Sequence, residues 1–389
     1  MARDRAIPNS IPHPPAAGAK IRWLQRPLPL KTEDIFPDRT RIRRKLVRWY
    51  DEHRRELPWR RTQDPYAIWI SEIMLQQTRV ETVIPYYLRF LEKFPTVESL
   101  ARAESGDVVK VWENLGYYAR ARNLQKAARE IMARFGGRIP ANRENIIQLP
   151  GIGRYTAGAI LSIAFGRPVA AVDGNVRRVI VRLRAIDDPI DDDEVRTRIE
   201  ALVQTLVPKR NPGRFNQALM ELGAVCCTPR TPSCRSCPLQ TDCRAREQGL
   251  SDRLPVRRKR KVIPHREVVA AILRNGNRRI LIVQRPGRGL LGSLWKFPGG
   301  ILDPGESREQ GLKRIVREEL GIGIGVGPPI AAVKHAYTHF RITLTAFACV
   351  LSEGTPSGPV WRWAGIEEID ALPFSKADRL VAASVAINL

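Results

Sequence analysis

Residues 149–175 read LPGIGRYTAGAILSIAFGRPVAAVDGN, and the reading of the whole chain works outward from them. The stretch opens on a Pro-Gly-x-Gly turn, runs through small and apolar residues at helical spacing, and closes on an aspartate in a Gly-Asn turn. Gly151 and Gly153 permit a tight turn that leaves backbone N–H groups free at the start of the next helix, where partial positive charge favours a phosphate. Asp173 follows the apolar run Val169–Val172 and is carried to the edge of a buried core. A phosphate cradle followed by a lone carboxylate points to DNA held over an acid.

Composition agrees with a polyanionic partner. The 389 residues suffice for two domains with full cores. Against 40 Asp and Glu stand 65 Lys and Arg, a net charge of +25. So large an excess implies nucleic acid ahead of a membrane surface, because no basic amphipathic helix stands out. No apolar run approaches the roughly 20 residues that span a bilayer, and no signal-peptide core opens the chain. The expectation is a cytoplasmic, nucleoid-associated monomer.

Before the hairpin, residues 1–37 hold many Pro and basic residues without periodicity, and read as a disordered basic tail. Helical spacing is expected from Arg41 to His53, over Ile68–Thr78, and roughly over 81–93, 107–114, 119–135 and 142–148. In Ile68–Thr78, IWISEIMLQQT, Glu72 falls on the apolar face with Ile68 and Leu75. Desolvation there raises its pKa and keeps it protonated near neutrality, as a general acid requires. The segment LGYYARAR, 115–122, pairs aromatics with Gly116, Arg120 and Arg122. One aromatic can wedge between bases while the arginines hold phosphates, and Tyr118 fits better as packing between helices.

After the hairpin, five of six cysteines crowd between Cys226 and Cys243. Cys227, Cys234, Cys237 and Cys243 can surround one compact centre, either zinc or an iron–sulfur cluster. Cys226 falls outside the spacing and Cys349 reads as a core residue. Arg230, Arg235 and Arg244 around the loop suit phosphate. A linker at 249–266 carries the run Arg257–Lys261, and from about Glu267 the pattern turns to strands, with Val268–Leu273 and Arg279–Gln284 flanking an Asn-Gly-Asn turn.

Taken together, LPGIGRYTAG, VDGNV and the cysteine spacing resemble the helix-hairpin-helix DNA glycosylases. The glutamate before Met-Leu-Gln-Gln-Thr resembles the MutY-type adenine glycosylases, which differ there from endonuclease III relatives. Trp295–Gly321 resembles the Nudix box of MutT-type pyrophosphatases through Gly300, Glu306, Arg314, Glu318, Glu319 and Gly321, but Ile315 occupies one acidic position. Glu318 and Glu319 offer hard oxygens for Mg²⁺, and the missing carboxylate suits recognition rather than hydrolysis. His335–His339 resembles the family's His-x-Phe-Ser-His segment, with Tyr337 for Phe and Thr338 for Ser; alone, these are ordinary strand residues.

The resemblance implies an all-α glycosylase region at 38–248, followed by an α+β Nudix-like domain at 267–389. Within the first it implies a six-helix barrel about 61–170, and a lobe from 38–60 and 171–248 that holds one [4Fe–4S] cluster on the four cysteines. It implies removal of adenine paired with 8-oxoguanine or guanine in double-stranded DNA. Glu72 is the acid to adenine N7 and Asp173 the carboxylate facing the sugar cation; Tyr155 and Asn175 position the sugar and Asp173. Trp59, Arg60 and Gln217 line or support the adenine pocket. Gln77 and Tyr117 enter the duplex, Thr78 contacts the lesion, and Tyr337, Thr338 and His339 read it from the opposite strand. Tyr155 stands where bifunctional relatives carry a lysine, which implies base removal without strand cleavage. The alternatives are a thymine-mismatch glycosylase, a hydrolase of oxidised nucleotides acting through the C-terminal box, and a lesion-binding protein without activity.

Overall fold

The computed structural model describes residues 36, 38–258, 263–287, 289 and 291–387. The expected tail, apart from Phe36, and part of the charged linker therefore lie outside the described residues; Phe36 itself is buried in a helical core, so the expected tail reaches too far. The helical half consists of α1 (Arg39–His53), α2 (Pro65–Met74), α3 (Val80–Lys93), α4 (Val97–Arg102), α5 (Ser105–Val111), α6 (Ala119–Phe135), α7 (Arg143–Ile146), α8 (Arg154–Ile163), α9 (Gly174–Arg184), α10 (Asp193–Leu206), α11 (Pro212–Glu221) and α12 (Arg244–Glu247). Helices α2 to α8 close round one apolar core that includes Trp69, Phe90, Trp112, Leu124 and Ile160. A second core joins α1 to α9, α10 and α11 through Leu46, Tyr50, Ile180, Ile199 and Phe215. The chain thus leaves α1, builds the first lobe, and returns through the hairpin to complete the second.

Local chemistry explains the boundaries that matter. Asp64 caps α2 by accepting from the N–H groups of Tyr66 and Ala67, with Pro65 at the first helical position. Gly151 has φ +79, which the hairpin turn demands and a side chain resists. Gly158 lets α8 lie against the strand-like approach to Asp173, since a Cβ there would meet the Ala170 carbonyl at 2.1 Å. Helix α2 ends at Met74, so Gln76, Gln77 and Thr78 form a turn and not the helix end expected from sequence.

The second half is α+β: β1 (His265–Leu273), β2 (Ile280–Gln284), β3 (Trp295–Lys296), β4 (Gly299–Ile301), α13 (Arg308–Leu320), β5 (Gly323–Ala336), β6 (Arg341–Glu353), β7 (Trp361–Ala364), α14 (Ile366–Ala371) and α15 (Lys376–Ile387). One sheet has the order β4-β1-β6-β5 and the other β3-β2-β7. Strands β1 and β2 meet across the turn through the isolated Arg274–Ile280 bridge and then diverge into different sheets. Both alternate their apolar residues between the two cores of this half, with Ile272 and Ile282 in one and Ala271 and Leu281 in the other. Among the described residues no helix is long and apolar enough to cross a membrane.

Candidate active site

Between the two helical lobes lies a cavity of about 610 Å³. Trp59, Arg60, Glu72, Gln77, Thr78, Tyr155, Asp173, Asn175 and Gln217 all line it. Residues far apart in the chain are brought together because α2 and α8 pack side by side while α9 and α11 close the opposite wall.

Glu72 projects from α2, where every residue from Tyr66 to Met74 is buried. Its Oε2 accepts a 2.5 Å hydrogen bond from the Tyr155 hydroxyl. Burial pushes the Glu72 carboxyl up to about 7; the Tyr155 bond opposes this, nearby Asp173 adds to it and Arg60 opposes it. At neutrality this acid holds a proton much of the time. Behind it, Trp59 packs edge-on against Tyr87 at 5.4 Å.

Asp173 is the N-cap of α9. Its Oδ1 accepts from Val176 N at 2.7 Å and its Oδ2 from Asn175 Nδ2 at 2.9 Å. Burial raises its pKa, and these bonds together with Arg178 work against that rise. The helix N-terminus adds further preference for the charged form. Arg178 continues the chain of contacts, giving 2.8 Å to Asn175 Oδ1 and 2.7 Å to the Cys227 carbonyl.

A third acid, which motif reading missed, organises the far wall. Glu221, 1 % exposed, accepts from Arg55 Nε at 2.9 Å and Nη2 at 2.9 Å and from Arg60 Nη2 at 2.7 Å. The two guanidiniums outweigh burial and hold its carboxyl at about 2. Arg60 is thereby fixed over Tyr50, whose hydroxyl donates to Gln217 Oε1 at 2.8 Å. The available signal was spacing: Gln217 and Glu221 stand one helical turn apart on α11.

The turn after α2 departs from expectation in its support. Arg120 does not face phosphate. It is 8 % exposed and donates to the carbonyls of Ile73, Met74, Gln76, Leu115 and Gly116 and to Thr78 Oγ1. The Ile73, Met74 and Gln76 carbonyls lie where α2 stops and those of Leu115 and Gly116 just before Tyr117, so one guanidinium serves both this turn and the Tyr117 turn. Gln77 and Tyr117 are both left-handed, with φ of 57 and 50, a conformation that costs energy for such side chains and is maintained by this clamp. Arg122 likewise donates to the carbonyls of Gly289 and Gly292 in the second half of the chain, not to a free surface. Tyr118 is buried between helices, as its position suggested.

Across from Tyr117 stands the loop after β5. The Tyr117 hydroxyl is hydrogen-bonded to Thr338 Oγ1 of that loop, and a cavity of about 200 Å³ between the halves is lined by both residues with Tyr337 and His339. The Nudix-like box has its carboxylates engaged internally. Glu319 pairs with buried Lys296 at 2.6 Å, while Arg314 pairs with Glu306 at 2.7 Å and Glu318 at 3.1 Å. Ile315 packs towards Gly300, where an acid would be expected.

Cys227, Cys234, Cys237 and Cys243 line one small cavity together with Cys226 and Arg182. Arg182, 2 % exposed, donates to Cys227 Sγ at 3.3 Å and to the carbonyls of Thr228, Pro229 and Leu254. Among the described residues, no three His, Cys, Asp or Glu side chains converge as ligands of a single metal ion do. Arg230, Arg235 and Arg244 are exposed round this loop.

The helical region matches the family model described as HhH-GPD superfamily base excision DNA repair protein over residues 70–205, and residues 269–384 match a NUDIX domain model. Fold and site thus define a helix-hairpin-helix base-excision repair protein with a Nudix-like domain attached. Similar solved structures include a thermostable thymine-DNA glycosylase (33 % identity, 54 % of this chain and 97 % of that one, TM-score 0.49) and an endonuclease III–DNA complex (26 %, 57 % and 99 %, TM-score 0.48). Adenine DNA glycosylase of Rattus norvegicus is 37 % identical, covering 88 % of this chain and 78 % of that protein, and its Homo sapiens counterpart is 36 % identical, covering 88 % and 73 %. The chain belongs to the adenine DNA glycosylase family.

Proposed function

We propose that this protein removes adenine paired with 8-oxoguanine, and with guanine, from double-stranded DNA, hydrolysing the N-glycosidic bond without cutting the strand. The observation that carries the reading is a pair of buried carboxyls, Glu72 and Asp173, on one cavity with unlike donors, a single hydroxyl at Glu72 and a backbone N–H with an amide at Asp173. Two acids in such unlike settings suit rupture of a glycosidic bond to a poor leaving group. The adenine leaves the stack and enters between Trp59, Arg60 and Gln217. Glu72, protonated much of the time at pH 7, gives its proton to adenine N7 as the bond weakens, and the Tyr155 hydroxyl steadies the carboxylate left behind. Asp173, held by the α9 N-terminus and Asn175, faces the developing sugar cation and stabilises it before water adds. Tyr155 supplies no amine, and among the described residues lining the cavity there is no lysine. That composition supports base removal without a Schiff-base lyase step.

Gln77 and Tyr117, poised on left-handed turns, are assigned to the gap left by the extruded base, with Thr78, Tyr337, Thr338 and His339 reading the opposite 8-oxoguanine. Gly151 and Gly153 offer hairpin N–H groups to a phosphate. The Lys296–Glu319 pair and Ile315 support a Nudix-like domain used for recognition and not for hydrolysis. The four cysteines line one small cavity, and their spacing suits a [4Fe–4S] cluster. When bound, it would brace the loop that carries Arg230, Arg235 and Arg244 towards DNA. The division into 38–248, a linker at 249–266 and 267–389, a monomeric state and a nucleoid-associated cytoplasmic location belong to the same proposal.

Single-turnover base release on duplexes bearing A:8-oxoguanine, A:G, A:T and G:T tests it. Release is expected fastest from A:8-oxoguanine, with strand breaks appearing only after alkali. Glu72→Gln and Asp173→Asn should each lower release by about 100-fold or more. Preference for G:T, or nicking at the rate of base release, would refute the assignment.

A further inference from the structure

One acid, Glu113, ties the helical half to the last helix of the molecule. Glu113 is 12 % exposed at its side chain and Arg379 22 %. Glu113 Oε1 accepts from Arg379 Nη2 at 2.6 Å, Arg379 Nε at 3.2 Å and the Phe374 N–H at 3.1 Å, and Oε2 accepts from Lys110 Nζ at 2.7 Å. Lys110 reaches on to the Asp370 carbonyl at 2.5 Å. The donors from the Nudix-like domain come from α15 and the segment just before it.

Both ends of this bracket lead directly to groups that face the opposite base. On the helical side, Glu113 immediately precedes a turn in which Asn114 and Tyr117 are left-handed, with φ of 70 and 50. That turn is tied at its base, since the Glu113 carbonyl accepts from Tyr86 at 2.7 Å and Asn114 N donates to the Tyr118 hydroxyl at 3.1 Å. On the other side, Arg379 lies one helical turn after Ser375, a buried hydroxyl that donates to Asp378 at 2.7 Å and interacts with Tyr337. The route from Glu113 through Tyr117, Thr338, Tyr337 and Ser375 back to Arg379 is a closed ring.

We propose that the Glu113–Arg379 pair is a positioning device for lesion choice: it fixes the spacing between the Tyr117 turn and the Tyr337–His339 loop, and with it the preference for 8-oxoguanine over guanine. The inference rests on the reading that these two elements meet the opposite base. Glu113 and Arg379 do not line the adenine cavity, so the chemical step is separate from their action. Arg122, bonded to Gly289 and Gly292, is an independent contact that keeps the domains docked when the pair is broken.

The experiment compares full-length parent, Arg379→Met, Arg379→Lys and Glu113→Gln at subsaturating enzyme on otherwise identical duplexes with A:8-oxoguanine or A:G. Arg379→Met is expected to lower the preference for 8-oxoguanine about tenfold, through loss on A:8-oxoguanine alone, with A:G within about twofold of parent. Arg379→Lys, which keeps the charge, should recover most of that preference. Equal losses on both duplexes, or an unchanged ratio, would overturn the proposal. Should Arg379→Met not fold, the near-isosteric Glu113→Gln decides by the same ratio. A parent without preference between the duplexes removes the underlying reading itself, and is recognised before any variant is assayed.

Discussion

Replacing Tyr155 by Phe isolates the hydrogen bond at the centre of the cavity. The substitution keeps the ring and deletes the donor that lies 2.5 Å from Glu72 Oε2. Because that donor stabilises the ionised form, it opposes the burial that, net of this bond, holds the carboxyl at about 7. Its loss must therefore raise the Glu72 pKa further. A hydrogen bond to a charged group contributes about 1.5–3 kcal/mol, and 1.36 kcal/mol corresponds to one pH unit, so the displacement is about one unit or more. A general acid works while protonated, hence base release in the parent declines as pH rises through about 7. In Tyr155→Phe that alkaline limb should move upward, even if the plateau is lower because the carboxylate formed on proton transfer has lost its partner. Single-turnover rates on A:8-oxoguanine from pH 5.5 to about 9.5 measure the midpoint independently of the plateau. An alkaline limb that stays in place or moves towards acid would refute the assignment of Glu72 as the proton donor.

Two further outcomes follow from buried charge. Glu72→Gln should abolish base release yet stabilise the fold at alkaline pH. The parent carboxyl, raised from 4.5 to about 7, must be ionised there at a cost of up to about 3 kcal/mol. The folded pKa lies above the unfolded one, so the penalty is absent below about 4.5, grows through the interval and is complete above 7. Urea unfolding at pH 4.5 and 8 reads the difference. Arg120→Met should strand several buried carbonyls at once and lower stability by about 3 kcal/mol or more, seen in thermal unfolding. In the fraction still folded, base release from A:8-oxoguanine should fall because Gln77 and Tyr117 lose their common support.

The helical segments were legible where apolar periodicity ran long, as in α3 and α6, and the residues of the cavity were legible where they sit in compact motifs. Glu72, Tyr155 and Asp173 each carry neighbours that announce them. Glu221 does not, because its importance comes from Arg55 and Arg60, which are distant in sequence and converge only after folding. Arg120 was misjudged for a related reason: an arginine beside tyrosines suits phosphate, but α2 ends at Met74 and leaves carbonyls that need a donor. Helix ends are poorly marked in IWISEIMLQQT, since nothing in the composition distinguishes the last helical residue from the turn. The Asn275–Asn277 turn was legible from its chemistry, whereas the separation of β1 and β2 into different sheets was not, because both strands bury both faces and their alternation marks no partner.

The contrast between Glu72 and Asp173 shows why residue type alone could not assign their roles. Both are buried acids on the same cavity, and burial pushes both upward. What separates them is supply of donors. Asp173 stands at a helix start, where an N–H and the Asn175 amide are already aimed at it; Glu72 stands inside a helix, where every backbone N–H is committed to the preceding turn and only Tyr155 reaches it. A helix interior therefore leaves an acid short of donors and inclined to keep its proton, while a helix N-terminus favours a charge. The hairpin stretch positions Tyr155 near the start of α8 and Asp173 at the start of α9, so one turn-helix-turn unit provides both the hydroxyl that reaches Glu72 and the carboxyl opposite it.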